Sequence, residues 1–267
     1  MDNRERRHHN KIVYGENSVT KTYDSNNGFE RELLAYKILN KNNFPLAKII
    51  HIDHENRAIS FEKINHEDGL EKLSKERVKN ASRVLYNLHN IPINERVSED
   101  ISDPRFSIQG FSYSLTRHVI NKYVGGLKNH FDMGNLESIL NKLGSKLEPE
   151  KFSYTWFDAK MRHFFFNQDD TVKAIIDFEY FGIFDPLVDV GNLLADISEL
   201  EGSNHRPFFD AILENYPHNK NSLEILLFYM ITSKLTQALC IDLPRGDMES
   251  ATKAIELSKT FASQDLF

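Results

Sequence analysis

Cysteine is almost missing from this chain: Cys240 is the only one in 267 residues, so no internal disulfide and no cysteine-based zinc site can form. It stands in the apolar run 235–241, where a small buried thiol is expected. Positive charge is not in excess either. Lysine and arginine total 33 against 39 aspartates and glutamates, and the net charge of −6 argues against the basic face of a nucleic-acid binder. The one basic cluster, Arg4, Arg6 and Arg7 ahead of His8 and His9, reads as a solvated tail, with phosphate contact as the alternative. Long hydrophobic runs are also lacking. The first ten residues are polar, unlike a signal peptide, and the most apolar stretch, 223–231, contains Glu224 and is too short to cross a bilayer. A cytoplasmic location without membrane contact is the expectation. Internal repeats and low-complexity segments are absent as well.

What is present is an ordinary globular composition, 40% hydrophobic and 27% charged. The length suffices for one large domain or two smaller lobes, each with its own core. The first part reads as strands with one helix among them. Residues 11–14 and 19–23 are β-branched and aromatic runs around a turn carrying Gly15 and Asn17. The polar loop 24–28 suits a helix start, with Asn26 or Asn27 as cap, and a helix over 29–40 puts Phe29, Leu33, Tyr36 and Leu39 on one stripe. After Pro45, residues 49–52 and 58–64 read as two more strands. Beyond Asn65 the period becomes helical: Ser74 caps a helix to about Asn90, followed by helices over 110–124, 136–147, 207–216, 222–241 and 248–262. The expected class is α+β, with a small mixed-sheet lobe over 1–65, a larger helical lobe over 66–267, and a ligand cleft between them.

Residues 152–194 break the helical pattern and hold the candidate chemistry. Asp158 follows the aromatic segment 154–157, and His163 precedes the strand Phe164-Phe165-Phe166, read as core. A polar turn over 167–170 leads to a second strand, 172–176, which delivers Asp177. Each acid alone reads equally as a turn or strand-end carboxylate. Together, at the ends of one hairpin, they could share a cation bridging nucleotide phosphates; hard Mg²⁺ takes one or two carboxylates plus phosphate oxygens.

This ordered set resembles the aminoglycoside phosphotransferase and choline kinase superfamily, itself related to protein kinases. The matching residues are Asp158, His163 five positions later, and Ile176-Asp177-Phe178-Glu179. Asp185-Pro186, Asp189 and the helix end Leu85-Tyr86-Asn87-Leu88-His89 also match. The resemblance implies a bilobal protein kinase-like fold and transfer of a γ-phosphoryl group from ATP or GTP to a hydroxyl of a small molecule. An aminoglycoside, amino sugar or choline-like alcohol would suit the negative net charge. It implies that Asp158 accepts the hydroxyl proton, that Lys160 approaches the γ-phosphate, and that Asp177 and His163 hold Mg²⁺. For His163 the alternative is a hydrogen bond to Asp158, because imidazole prefers softer metals than Mg²⁺.

Lys21, on the strand 19–23, would contact the α- and β-phosphates and pair with Glu32 in preference to Glu30. Phe61, Glu62 and Ile64 fall on the segment expected to face the nucleotide base with backbone N–H and C=O groups. Asp185 and Asp189 read as structural, Asp189 as the cap of a helix over 190–197, with His89 closing its helix and Trp156 a packing residue. Glu199 and Glu201 are candidate acceptor contacts. No glycine precedes Gly15, so the phosphate-covering glycine loop of the family is missing or reduced. That departure and His163 carry the competing reading, a nucleotide-binding pseudokinase or regulatory module without transfer activity.

Overall fold

Alternating β-branched residues on either side of Gly15 fold back on each other as β1 (Lys11–Tyr14) and β2 (Ser18–Thr22), an antiparallel hairpin. The computed structural model describes residues 10–64, 67–68, 73–93, 111–147, 152–201, 206–216 and 220–263, so the basic cluster Arg4 to Arg7, Gly110 and the lobe boundary at Asn65 lie outside the described residues. Helix α1 (Asn26–Lys41) follows, then β3 (Ile49–Asp53) and β4 (Ala58–Glu62). The strand order is β1-β2-β4-β3 with every pairing antiparallel, so the sheet is not mixed as expected. Short hairpin connections at 15–17 and 54–57 leave no room for a parallel crossover. The cap of α1 is Ser25, whose Oγ accepts the Gly28 N–H at 3.0 Å, rather than Asn26 or Asn27. Phe29 from α1 packs with Tyr23 and Ile59 in a small core of this lobe.

The larger part begins with β5 (Glu67–Asp68) and α2 (Lys75–His89), the latter capped by Ser74 as the sequence predicts. Next come α3 (Phe111–Val119), which runs on through a π-helical turn at Ile120–Val124, and α4 (Leu136–Gly144). Four short strands follow: β6 (Ser153–Thr155), β7 (Phe164–Phe166), β8 (Val172–Ile175) and β9 (Gly182–Phe184). They form two small antiparallel groups, β5-β7-β8 and β6-β9. Helices α5 (Leu187–Glu201), α6 (Arg206–Leu213), α7 (Lys220–Gln237) and α8 (Met248–Ser263) complete the lobe. Its core is continuous, from Leu85 and Leu88 through Trp156, Phe164 and Phe178 to Leu193, Phe228 and Phe261.

The apolar run in α7 is longer than its sequence suggests. Through a π-helical turn at Ala238–Asp242 it extends over Leu223–Arg245, long and apolar enough by length and composition to span a membrane. It is nonetheless a packed element, bedded against α4, α5 and α8, with Phe228, Met230, Ile231 and Leu235 fully buried. Cys240 sits half-buried on the π turn instead of in the core. The two parts of the molecule meet through backbone and ring contacts. The Ile175 N–H donates to the Pro45 carbonyl at 2.8 Å, and Tyr36 of α1 reaches the Phe178 ring at 6.1 Å.

Candidate active site

The pairing of β6 with β9 brings residue 156 and its successors alongside the segment after Asp177. At Phe157 the backbone enters the left-handed region, φ +67°, one residue before the half-buried Asp158. Asp177 adopts the same conformation, φ +71°. A non-glycine residue there costs roughly 1–3 kcal/mol and persists only when neighbours hold it. Those neighbours are identifiable. Asp189, fully buried on α5, accepts the Trp156 N–H at 2.8 Å and the Phe157 N–H at 2.6 Å. Asn192 donates to the Phe157 carbonyl at 2.8 Å, and Asp196 accepts the Met161 N–H at 2.8 Å. The Trp156 indole N–H donates to the Asp177 carbonyl at 2.6 Å while its ring stacks on Phe178.

Two expected roles change. Asp189 does not cap α5; its carboxylate turns back to the loop and to His89 Nε2 at 3.0 Å, and His89 Nδ1 meets the Tyr216 hydroxyl at 2.9 Å. The first-turn acceptor is Asp185, which takes the Leu187 N–H at 2.9 Å and the Tyr229 hydroxyl at 2.8 Å; burial pushes its carboxyl up. Trp156 packs, as expected, but also orients the peptide of Asp177.

The charged groups converge from both lobes. Lys21, only 8% exposed, lies 2.5 Å from Asp177 Oδ1, 3.2 Å from Glu32 Oε2 and 3.2 Å from Glu179 Oε2. Burial works to lower the lysine pKa, but Glu32, Asp177 and Glu179 together outweigh it and hold the ammonium charged. Burial likewise pushes Asp177 up, and Lys21, His163 and Lys160 overcome that, leaving its carboxyl below the usual range. Glu32 is raised, because burial exceeds the pull of Lys21. Glu30 stays on the exposed face of α1. Lys160 Nζ is 2.5 Å from Asp158 Oδ1. Asn10 donates to Glu179 and accepts the Asp24 N–H at 3.2 Å, tying the start of β1 to the site.

Ligand atoms of Asp158, His163 and Asp177 lie within 4.8 Å of one another, close enough to surround one cation. The carboxylates suit the Mg²⁺ that the resemblance implies; the imidazole of His163 does not, since Mg²⁺ prefers an all-oxygen shell. The donor set therefore fits a divalent cation but departs from a magnesium site.

The segment 61–64 runs out of the end of β4. Phe61 turns inward, its ring 5.5 Å from that of Tyr36. Glu62 is exposed, and the N–H groups of Glu62 and Lys63 are committed to the carbonyls of Lys48, at 2.8 Å, and Asn17, at 3.0 Å. Both N–H groups are spent within the small lobe, because β4 continues its ladder to Glu62. Ile64 is half-buried. Glu199 pairs with the buried Lys234 on α7, and Glu201 is half-buried at the end of α5. Asn192 and Asp196 escaped sequence reasoning. Their signal was present: Asp189, Asn192, Asp196 and Glu199 recur at helical spacing as a polar stripe on an otherwise apolar helix.

Similar folds occur in a choline/ethanolamine kinase family protein from Mesorhizobium loti, with TM-score 0.67 and 16% identity over 96% of this chain and 86% of that one. Another is the GDP and kanamycin complex of APH(2")-IIia, with TM-score 0.68 and 17% identity over 96% and 90% of the two chains. A third is choline kinase LicA from Streptococcus pneumoniae, at TM-score 0.63 and 16% identity over 95% and 89%. The bilobal kinase-like architecture is therefore that of the described lobes. No curated protein gives a significant match. The family model for phosphotransferase enzymes, APH, matches residues 22–218, a span that takes in Glu32, Asp158, His163 and Asp177. This chain belongs to the phosphotransferase enzyme family.

Proposed function

We propose that this protein transfers the γ-phosphoryl group of ATP or GTP to a hydroxyl of a small cationic molecule. The observation that carries this reading is the convergence of Asp158, His163 and Asp177 within 4.8 Å, beside the Lys21–Glu32 pair. Asp158 takes the proton of the acceptor hydroxyl as its oxygen bonds to the γ-phosphorus and the β,γ-bridging oxygen leaves with the nucleoside diphosphate. Lys21 steadies the α- and β-phosphates, and Lys160, beside Asp158, steadies the γ-phosphate. Asp177 would hold a divalent cation, which would supply positive charge to the phosphate oxygens. The nucleotide base lies along the segment Phe61, Glu62 and Ile64, met by backbone groups other than the Glu62 and Lys63 N–H groups, which are spent within the small lobe. Complexes of relatives hold GDP and kanamycin, which favours a nucleotide donor and an amine-bearing acceptor here too.

Acceptor specificity rests on negative charge and one ring. Tyr180 is 54% exposed, in the field of Glu179 and Asp158, and an aromatic face there attracts a cation. Glu199 stands one turn beyond Asp196, which anchors the Asp158 loop, and its carboxyl is held below the usual range: burial would raise it, but Lys234 and Gln237 outweigh that. A cytoplasmic location, where nucleotide triphosphates are plentiful, completes the proposal. The test is Asp158→Asn, assayed by phosphate transfer to a panel of hydroxyl-bearing amines and by thermal shift with nucleotide. Turnover should fall by roughly 10²–10⁴ while the nucleotide-induced shift survives. An Asp158→Asn protein with full turnover refutes the assignment, and a wild type that binds nucleotide without transferring phosphate favours the pseudokinase.

A further inference from the structure

We infer that His89 and Tyr216 are positioning residues for the loop that carries Asp158, acting through Asp189 and touching neither nucleotide nor acceptor. The inference rests on the phosphotransfer reading for the loop's purpose; the hydrogen-bond chain itself does not. His89 is a buried titratable group, 4% exposed, and no step of the proposed transfer uses it. Its Nε2 lies 3.0 Å from Asp189 Oδ2, and a carboxylate only accepts, so Nε2 carries a proton toward Asp189. The same Oδ2 takes the Trp156 N–H, and Oδ1 takes the Phe157 N–H. The imidazole therefore shares one carboxylate with the backbone that turns at φ +67° just ahead of Asp158.

Tyr216 fixes the other side of the ring. His89 Nδ1 lies 2.9 Å from the Tyr216 hydroxyl, which can give or take a proton, so both ring nitrogens are engaged. Burial pushes the Tyr216 hydroxyl well above its usual pKa and keeps it protonated. The tyrosine is held in turn where the chain leaves α6. Asn215 donates to the Lys79 carbonyl at 3.4 Å and to Ser82 Oγ at 3.3 Å, and Ser82 Oγ donates to the Ile212 carbonyl at 2.9 Å. Tyr86 of α2 sets its ring edge-on to Tyr216 at 5.7 Å. A continuous polar chain thus runs from the end of α6 through His89 to the backbone beside Asp158. The rival arrangement is a core filler, with Asp189 held by the two backbone N–H groups alone.

Tyr216→Phe keeps the ring and removes only the hydroxyl, so it separates the two in the full-length protein without nucleotide. Amide hydrogen exchange followed by NMR should show the Trp156 and Phe157 N–H groups about three- to tenfold less protected, the effect of one hydrogen bond. Amides of the buried Ile255 and Phe261 on α8 should be unchanged. His89→Leu should cause a larger loss, and His89→Gln, which keeps a side-chain N–H, should restore part of it. In basal ATP hydrolysis, kcat should fall by a similar factor with the KM for ATP unchanged; a change in KM alone overturns the inference. Unchanged protection in a folded Tyr216→Phe overturns it, and so does an equal loss across the molecule. Imidazole nitrogen shifts of the wild type need no variant: an Nε2 without its proton overturns the inference even where the variants fail to fold. Selective loss of protection in a protein that hydrolyses no ATP and transfers no phosphate upholds the positioning network and refutes only the phosphotransfer reading.

Discussion

Asp189 and Trp156, both fully buried, set the working geometry. One buried carboxylate receives two consecutive backbone N–H groups and a histidine, which is enough to hold the φ +67° turn at Phe157 that precedes Asp158. Trp156 does for Asp177 what Asp189 does for Asp158, through a single N–H to a carbonyl. Trp156→Phe keeps an aromatic ring against Phe178 and removes only that donor and some volume. It should lower stability by about 1–2 kcal/mol in urea unfolding. Turnover should fall more than nucleotide affinity does, because the lost bond orients Asp177 instead of contacting the base. Equal losses in both would show a generally loosened core.

At the scale of elements, the start of α2 is locked to the β7–β8 turn. Ser74 Oγ accepts the Arg77 N–H at 3.1 Å and donates to Asp170 Oδ2 at 3.1 Å, while the fully buried Arg77 reaches Asp170 Oδ1 at 2.7 Å. Asp170 itself is held at φ +64°, with its carbonyl accepting from Asn80 at 3.0 Å. Asp170→Ala would take from the buried Arg77 guanidinium its carboxylate partner at 2.7 Å, and the expected cost is about 3–5 kcal/mol by chemical denaturation. A cost under 1 kcal/mol would mean that the cluster relaxes to other partners. The crossing of α5 over α7 is equally tight. A Cβ on Gly191 would stand 2.5 Å from Tyr229 Cβ, so Gly191→Ala must push α5 away and should destabilise by about 1–3 kcal/mol. Since α5 carries Asp189, Asn192 and Asp196, the variant's turnover should drop alongside its melting temperature.

For the molecule as a whole, Lys21 is the charge that joins the lobes, set among Glu32 of its own lobe and Asp177 and Glu179 of the other. Lys21→Met leaves three carboxylates without their cation, at an expected cost of about 3 kcal/mol near neutral pH. The sign of the pH dependence follows from Asp177. Its folded pKa lies below the unfolded 3.8, so its contribution is present above that pH and is lost as pH falls through the folded value. The stability gap between wild type and Lys21→Met should therefore be widest near neutrality and narrow below about pH 3.8, as measured by urea unfolding across pH. A gap that is constant into strong acid would remove the ion pair from the account.

Local signals in the chain were enough for the β1–β2 hairpin, the periods of α1 and α2, the Ser74 cap of α2, and the order of Asp158, His163 and Asp177, because turns, caps and helical stripes act over a few residues. The cap of α1 falls at Ser25, just ahead of the expected Asn26 or Asn27. The glutamate partner of Lys21 was legible for the same reason, as one helical position among two. Convergence was not legible. That Lys21 reaches Asp177, that Asp189 turns from its helix to the loop, and that the N–H groups of Glu62 and Lys63 close on Lys48 and Asn17 depend on contacts between segments far apart in the chain. Burial and pairing choose such partners, and both are properties of the packed molecule: a carboxylate reads alike on paper whether water or an ammonium ion will face it.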